Sequence, residues 1–211
     1  MIKKYKYYLF DFDGTVLDTM PSLAYVFTVS YEHVGCKFDP KDTALFSRIP
    51  LDEGYQKIGA NPDKWPDFCE YIRASLDFPE TLKRNHFYPE SQEIFQYIKD
   101  HNIYAGIVTS NNVSHVKDVL KVMGVDDKLF RIYIGHEEYE HFKPDPDPLL
   151  QALKKIGNPN KEDVVYVGDA LNDALCAERA GIDAILLDRN NEYQDSPKYL
   201  RITNLKELFK E

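Results

Sequence analysis

The chain has 211 residues, of which 43% are hydrophobic and 29% charged, a composition typical of a soluble globular protein with one large domain and room for a smaller one. Its formal net charge of −9 argues against a nucleic-acid polymer as partner, because binding a phosphate backbone requires a clustered basic surface. No apolar run approaches the roughly 18 residues of a membrane span, so no membrane association is expected.

The three cysteines, Cys36, Cys69 and Cys176, are widely spaced and odd in number, which fits neither a disulfide framework nor a paired-cysteine metal site. Reduced thiols and a cytoplasmic location are the simplest expectation. The apolar run near the start is interrupted by Asp11 and Asp13, so no signal peptide is predicted. A monomer is the default expectation, and the sequence does not exclude a dimer.

Strand-like apolar runs and helix-like amphipathic segments alternate along most of the chain. The strand-like runs are Tyr5 to Phe10, Ile103 to Val108, Arg131 to Ile134, Asp163 to Val167 and Ala184 to Leu187. The helical segments between them are Pro89 to Lys99, Val113 to Met123, Pro146 to Ile156 and Ala170 to Ala180. This alternation predicts an α/β fold, a Rossmann-like three-layer arrangement with helices on both faces of a parallel sheet.

Residues 19–85 have a different pattern, because helix-like segments are broken by glycines and prolines and no strand-like run occurs. A helical insertion between the first and second strands is the simplest interpretation. The predicted organisation is therefore an α/β core domain of residues 1–18 and 86–211 with an inserted helical domain of residues 19–85. The end of the chain, from Asn204 to Glu211, is predicted to form a short closing helix.

Two aspartates directly follow the first predicted strand, and in an open parallel sheet ligands bind beyond the carboxyl ends of the strands. Asp11 and Asp13 point in similar directions if the strand geometry continues for one more residue. A divalent cation or a shared proton would relieve the repulsion between them. Gly14 then allows the chain to turn away. The ordinary alternative is a polar turn after a strand, which Asp and Gly often form.

Three later sites also follow predicted strands or lie in stiff segments. The segment Thr109 to Asn111 ends a strand and precedes a helix, which suits a phosphate oxygen but also an ordinary helix N-cap. Lys143 lies in a proline-rich segment that should hold it in place, although most lysines are simply exposed. Asp169 lies at a strand end, and Asp173 lies one helical turn further. Both carboxylates could face a hard cation. The ordinary alternative is that Asp169 caps the helix N-terminus and Asp173 is solvated.

The order and placement of these sites resemble the haloacid dehalogenase (HAD) superfamily. The segment Asp11 to Thr15 matches its first motif, Thr109 the second, Lys143 the third, and the segment Gly168 to Asp173 the fourth. The match extends over nearly the whole chain. The helical insertion resembles the cap domain of phosphoglycolate phosphatase-like and β-phosphoglucomutase-like members.

The resemblance implies a catalytic set of four residues. Asp11 would be the nucleophile that forms an aspartyl-phosphate, and Asp13 would protonate the leaving alcohol and later accept a proton from water. Thr109 and Lys143 would hold phosphoryl oxygens, with Lys143 offsetting the negative charge near Asp11.

The resemblance also implies a Mg²⁺ cofactor and a set of substrate contacts. The metal would lie between Asp11, the backbone carbonyl of Asp13 and Asp169, and Asp173 would act directly or through a water. The predicted substrate-binding residues are Gly14, Ser110, Asn111 and, in the insertion, Arg48.

A phosphatase acting on a small phosphomonoester is the preferred interpretation. Asp13 favours phosphoester chemistry, because an alkoxide leaving group needs a proton. The fourth motif begins with Gly168 and Asp169, whereas mutases of the β-phosphoglucomutase type usually have Glu-Asp there. Phosphoglycolate and sugar phosphates are the expected substrates. The alternatives are a phosphosugar mutase, a pyrophosphatase and a protein that keeps the fold for binding without turnover.

Overall fold

The computed structural model describes residues 2–47, 49–194 and 198–210. The chain divides into two units, the first formed by residues up to Leu17 together with residues from Phe87 onward, and the second by Asp18–His86. Each border lies one residue from the position expected from the sequence. Each unit has its own hydrophobic core.

A parallel six-stranded sheet forms the centre of the first unit. The strands of the chain are β1 (Tyr7–Phe10), β2 (Leu17–Asp18), β3 (His86–Phe87), β4 (Tyr104–Val108), β5 (Ile132–Ile134), β6 (Val164–Gly168), β7 (Asp183–Leu187) and β8 (Leu200–Ile202). The six-stranded sheet has the order β5-β4-β1-β6-β7-β8, and β2 and β3 form a separate two-stranded sheet. The α/β fold with a Rossmann-like parallel sheet is therefore confirmed.

Helices α1 to α5 belong to the second unit, and α6 to α9 to the first. Their bounds are α1 (Met20–His33), α2 (Thr43–Phe46), α3 (Leu51–Ile58), α4 (Trp65–Leu76), α5 (Pro79–Leu82), α6 (Pro89–Asp100), α7 (Val113–Val122), α8 (Asp147–Lys155) and α9 (Leu171–Ala180). None of the helices in residues 2–47, 49–194 and 198–210 has the length and apolar character needed to span a bilayer.

The central strands are apolar on both sides because helices cover both faces of the sheet. Every residue of β6 is buried, as are the last three residues of β1. The register pairs Phe10 at the end of β1 with Ile107 of β4 and Val167 of β6. The carboxyl ends of these three neighbouring strands therefore lie level with one another, and the residues that follow them are brought to one edge of the sheet.

Aromatic side chains fill the core of the second unit. Tyr31 on α1 is fully buried, with its ring centroid 4.9 Å from that of Phe68 on α4 and 5.4 Å from that of Phe38. Phe46 and Tyr55 complete the ring contacts around Tyr31. Ring packing thus contributes to holding α1 against α4, and it removes a large apolar area from water for each side chain.

Two features near the end of the chain differ from the expectation. The sixth strand of the sheet, β8, has only three residues, too few to show an alternation that could be recognised in the sequence. The predicted closing helix from Asn204 to Glu211 is a short 3-10 helix, Leu205–Phe209. Its first turn is capped by Asn204, whose side chain accepts the N–H of Lys206.

Candidate active site

Residues from three neighbouring strands meet at the carboxyl edge of the sheet. Asp11 directly follows β1, Thr109 follows β4 and Asp169 follows β6. Asp11 and Thr109 are buried, with 7% and 2% of their surface exposed. The strand order and register thus place these predicted residues together.

Lys143 is the centre of a buried charged network at this edge. Its Nζ donates to Asp11 Oδ1 at 2.7 Å and to Asp173 Oδ1 at 2.8 Å. The three side chains are only 8%, 10% and 5% exposed, so these contacts are shielded from water. The alternative of an ordinary surface lysine is therefore excluded by its position.

The third donor–acceptor contact of Lys143 involves a residue that sequence analysis did not identify. Lys143 Nζ donates to the hydroxyl of Tyr166 at 2.8 Å, and that hydroxyl donates to the carbonyl oxygen of Val108 at 2.8 Å. Tyr166 lies in the middle of β6 and is 1% exposed. A tyrosine in a buried strand has the sequence signature of a core residue, so only its position beside Lys143 identifies it.

The segment around Lys143 is held in place by its neighbours, as its prolines predicted. The Lys143–Pro144 peptide bond is cis. Arg179 Nη1 donates to the carbonyl of Pro144 at 3.0 Å. Asp147 Oδ2 accepts the backbone N–H groups of Glu140 and His141, at 2.8 and 3.2 Å. These contacts on both sides restrict the position of the lysine.

Three carboxylates at the edge of the sheet form a group that could hold a metal ion. One oxygen each from Asp11, Asp169 and Asp173 lies within 4.8 Å of the others. Carboxylate oxygens are the ligands that a hard divalent cation prefers, so the donor set fits Mg²⁺. A Cβ added to Gly14 would overlap the Asp169 carboxylate, and Gly14 has φ +74°, so glycine is needed there for both reasons.

Neither aspartate of the fourth motif is the N-cap residue of α9, which was the ordinary alternative for Asp169. Asp169 Oδ1 accepts the hydroxyl of Thr15 at 3.0 Å. Asp173 Oδ2 accepts the backbone N–H of Ala170 at 3.1 Å, while its other oxygen accepts Lys143. Asp173 therefore links the start of α9 to the charged network.

Burial is the largest influence on the pKa values of the carboxylates. It raises the pKa of Asp11 well above its usual range, an effect that Lys143 opposes and that Asp173 and Asp169 reinforce. Burial, followed by the charge of Asp173, raises the pKa of Asp169 to about 6. Burial lowers the pKa of Lys143, but Asp11 and Asp173 outweigh it, so the pKa is raised and the lysine stays charged. The carboxylates thus need further positive charge to be ionised together.

Asp13 has its own hydrogen-bond donor. The side-chain Nδ2 of Asn111 donates to Asp13 Oδ2, and the backbone N–H of Asn111 donates to Thr109 Oγ1 at 3.1 Å. Burial raises the pKa of Asp13, against the opposing charges of His115 and Lys143. Asn111 was predicted to bind the substrate, and the contact of its side chain with Asp13 was not predicted.

The remaining predicted substrate contacts differ in how the structure places them. Ser110 is exposed beside Thr109, and Gly14 lies against Asp169. The N-cap residue of α7 is Asn112, so Thr109 does not cap that helix. Arg48 lies outside the described residues.

The chain matches the family model described as haloacid dehalogenase-like hydrolase over residues 8–187. It is 31% identical over 181 residues to "Putative pyrophosphatase PpaX" of Caldanaerobacter subterraneus subsp. tengcongensis, covering 84% of this chain and 79% of the relative. It is 26% identical to "Phosphoglycolate phosphatase" of Mannheimia succiniciproducens, with coverage of 92% and 90%.

The comparison with solved structures agrees with the family model. The crystal structure of "Putative haloacid dehalogenase-like hydrolase" from Bacteroides fragilis superposes with a TM-score of 0.80 at 26% identity, covering 97% of this chain and all of that one. The resemblance seen in the sequence motifs is thus confirmed. The chain belongs to the haloacid dehalogenase-like hydrolase family and is a phosphatase within it.

Proposed function

We propose that the protein hydrolyses a small phosphomonoester through an aspartyl-phosphate on Asp11, with Mg²⁺ as cofactor. The observation that carries the proposal is the buried Lys143 bonded to Asp11, beside the three clustered carboxylates Asp11, Asp169 and Asp173. A buried cation beside a nucleophile that must approach an anionic ester is the arrangement this chemistry requires.

In the first step an Asp11 oxygen forms a bond to phosphorus and the ester P–O bond breaks. Asp13 transfers its proton to the departing oxygen, which leaves as an alcohol. The pKa of Asp13, raised by burial, supports its role as the proton donor. Lys143 stabilises the negative charge that develops on the phosphoryl oxygens, and its two carboxylate partners keep it charged.

In the second step a water molecule attacks the aspartyl-phosphate. Asp13, now ionised, takes a proton from the water, the new P–O bond forms and the bond to Asp11 breaks. The products are inorganic phosphate and a regenerated Asp11 carboxylate. Asn111 holds one oxygen of Asp13 through both steps, so the other oxygen is the one that carries the proton.

The metal would be held by Asp11, Asp169 and the backbone carbonyl of Asp13, with Asp173 directly or through a water. When bound there, Mg²⁺ would neutralise charge on the carboxylates and on the phosphoryl group. Thr109, which is buried at the same edge of the sheet as Asp11, is proposed to bind a phosphoryl oxygen together with the backbone N–H groups of Ser110 and Asn111.

Two relatives support two substrate classes. A relative named phosphoglycolate phosphatase, matched over 92% of this chain, favours a small phosphorylated acid. Pyrophosphate is the second candidate, since the relative at 31% identity is named a pyrophosphatase. The cysteines of the chain are free thiols, which supports the proposed cytoplasmic location.

The test is release of inorganic phosphate from phosphoglycolate, sugar phosphates, nucleoside monophosphates and pyrophosphate. We expect release that requires Mg²⁺, stops with a chelator and falls by about 10⁴-fold or more in Asp11→Asn. The amide keeps the shape of the side chain but is a poor nucleophile. Activity of Asp11→Asn near that of the wild type would contradict the covalent mechanism, and transfer from a sugar bisphosphate without hydrolysis would favour a mutase.

A further inference from the structure

Arg189 contacts the loop that carries the first motif. It follows β7 by two residues, and its side chain reaches the turn after β1. Nη1 donates to the carbonyl of Gly14 at 2.6 Å, and Nη2 donates to the carbonyl of Thr15 at 2.7 Å. The two ends of one guanidinium thus hold two consecutive carbonyl groups of the motif.

The Nε donor and the face of the Arg189 guanidinium also have partners. Nε donates to Glu90 Oε1 at 2.9 Å, and the group lies 3.5 Å from the ring centroid of Tyr88. The side chains of Arg189 and Glu90 are 17% and 8% exposed, so this ion pair is largely buried. A buried charge is retained only where its partner is present, and Glu90 in the first turn of α6 is also favoured by the helix dipole.

The two carbonyls belong to residues on which the proposed mechanism depends. Gly14 directly follows Asp13, so its position sets the position of the acid–base residue. Thr15 donates its hydroxyl to Asp169, one of the three clustered carboxylates. A displacement of the turn would therefore move both Asp13 and the partner of Asp169.

We infer that Arg189 is a positioning residue, which holds the turn from Gly14 to Thr15 so that Asp13 and Asp169 keep their places. This inference rests on the proposed function. Only arginine presents several donors in one rigid plane, so a lysine at this position would keep the charge but could not bond both carbonyls and Glu90 in the same geometry.

The test compares Arg189→Lys with a matched control, Arg131→Lys. Arg131 is also bonded to a carbonyl, that of Asn102 at 3.4 Å, and lies over a tyrosine ring, that of Tyr104 at 5.0 Å. It directly precedes β5, at the opposite edge of the sheet from the site. The control therefore reports the effect of an arginine-to-lysine substitution on kcat and Mg²⁺ affinity at a position that does not contact the first motif.

We expect Arg189→Lys to lower kcat by about 10- to 100-fold with little change in KM, as for other residues that hold a metal ligand in place. Mg²⁺ binding, measured by calorimetry without substrate, should weaken over a similar range. Arg131→Lys should change both by less than about twofold. Circular dichroism and thermal melts of each protein would show that all assays are made on folded protein.

Wild-type kcat and Mg²⁺ affinity in folded Arg189→Lys would overturn the inference, as would losses equal to those of Arg131→Lys. If Arg189→Lys does not fold, Glu90→Gln gives the same test, because it removes the carboxylate that orients Arg189, and unchanged kcat there would also overturn it. An inactive wild type would instead contradict the proposed function. An active wild type with an inactive Asp11→Asn and a fully active Arg189→Lys would contradict this inference alone.

Discussion

The two units of the chain bury polar side chains of different kinds. In the first unit the buried acidic residues each have a cationic partner: Lys143 bonds Asp11 and Asp173, Arg189 bonds Glu90, and Arg201 bonds Asp188. In the second unit, over its described residues, the buried polar side chains are all neutral, and they are Ser22, Ser30, Thr43, Ser75, Thr81 and Asn85.

The difference indicates that the first unit accepts a loss of folding stability in order to hold charged groups at the candidate active site. Burying an ion pair costs desolvation energy that its attraction often does not recover, so apolar packing would stabilise a fold at least as well. The first unit nevertheless concentrates charge at one edge of its sheet. The second unit packs aromatic rings around Tyr31 and carries no comparable charge cluster among its described residues.

The most direct test of this difference between the units is to remove Lys143, the cation at the centre of the buried network. Lys143→Met leaves Asp11 and Asp173 buried without their partner, so we expect a loss of about 3–5 kcal/mol in the free energy of unfolding at neutral pH. Phosphate release should fall by about 100-fold or more. The control, Lys155→Met, removes a lysine that also bonds a carbonyl and a carboxylate, those of Tyr133 and Glu138, but is 45% exposed.

Urea unfolding of both variants gives the measurement. Lys155→Met should cost less than about 1 kcal/mol, since exposed ion pairs contribute little. Equal losses in the two variants would show that burial does not distinguish them.

The free energy of unfolding of the metal-free protein should depend on pH through the carboxylate cluster of the first unit. The pKa of Asp169 is about 6 in the folded state and about 4 in an unfolded chain. The folded state binds more protons between these values, so the stabilising contribution is complete below about pH 4 and is lost as the pH rises through 6. The loss from this group should be about 3 kcal/mol, two pKa units at 1.36 kcal/mol each.

Urea unfolding in chelator at about pH 4 and about pH 7.5 would measure this loss. Asp169→Asn is the control, because its amide does not titrate and its stability should decline less over the same range. Parallel declines in the two proteins would mean that Asp169 is not the group responsible.

Two glycines with the same backbone conformation offer a finer comparison. Gly14 has φ +74° and Gly124 has φ +73°, but only at Gly14 would a Cβ meet another atom, the Asp169 carboxylate. Alanine at either position should cost about 1–2 kcal/mol for the left-handed backbone. Only Gly14→Ala should also lose phosphatase activity and Mg²⁺ affinity, as measured by phosphate release and calorimetry. Full activity in Gly14→Ala would show that the carboxylate can move without consequence.

The smallest expected effect comes from the same substitution made in each unit. Tyr166→Phe removes a hydroxyl that bonds Lys143 and Val108, so we expect a loss of about 1–2 kcal/mol and lower activity. Tyr31→Phe removes a buried hydroxyl that has no hydrogen-bond partner among the described residues, so stability should be unchanged or raised by up to about 1 kcal/mol. Urea unfolding of both variants would check the signs, and a clear loss in Tyr31→Phe would contradict the comparison.

The same contrast explains what could be predicted from the sequence. The sheet and the residues at its strand ends were predicted, since buried strands read as apolar runs and Asp11, Thr109 and Asp169 interrupt them at their ends. Tyr166 and Arg189 were missed, because an aromatic residue in a strand and an arginine in a loop look ordinary until the fold brings them to the motifs. Among the described residues of the second unit, the ring-packed core has none whose chemistry points to a substrate, so the sequence narrows the substrate only to a class.

The strand order also determines at what point during synthesis the sheet around β1, and with it the candidate active site, can form. Strand β1, which the proposed nucleophile Asp11 directly follows, pairs on one side with β4, which begins at Tyr104, and on the other with β6, which begins at Val164. The second unit, in contrast, is one continuous stretch that has left the ribosome long before β6 has been made, and domains fold as units as the chain emerges. Until then β1 has unpaired edges, and its apolar sequence Tyr7-Tyr8-Leu9-Phe10 is open to association with other chains. A nascent chain that stops short of Val164 therefore has neither a complete site nor a protected first strand.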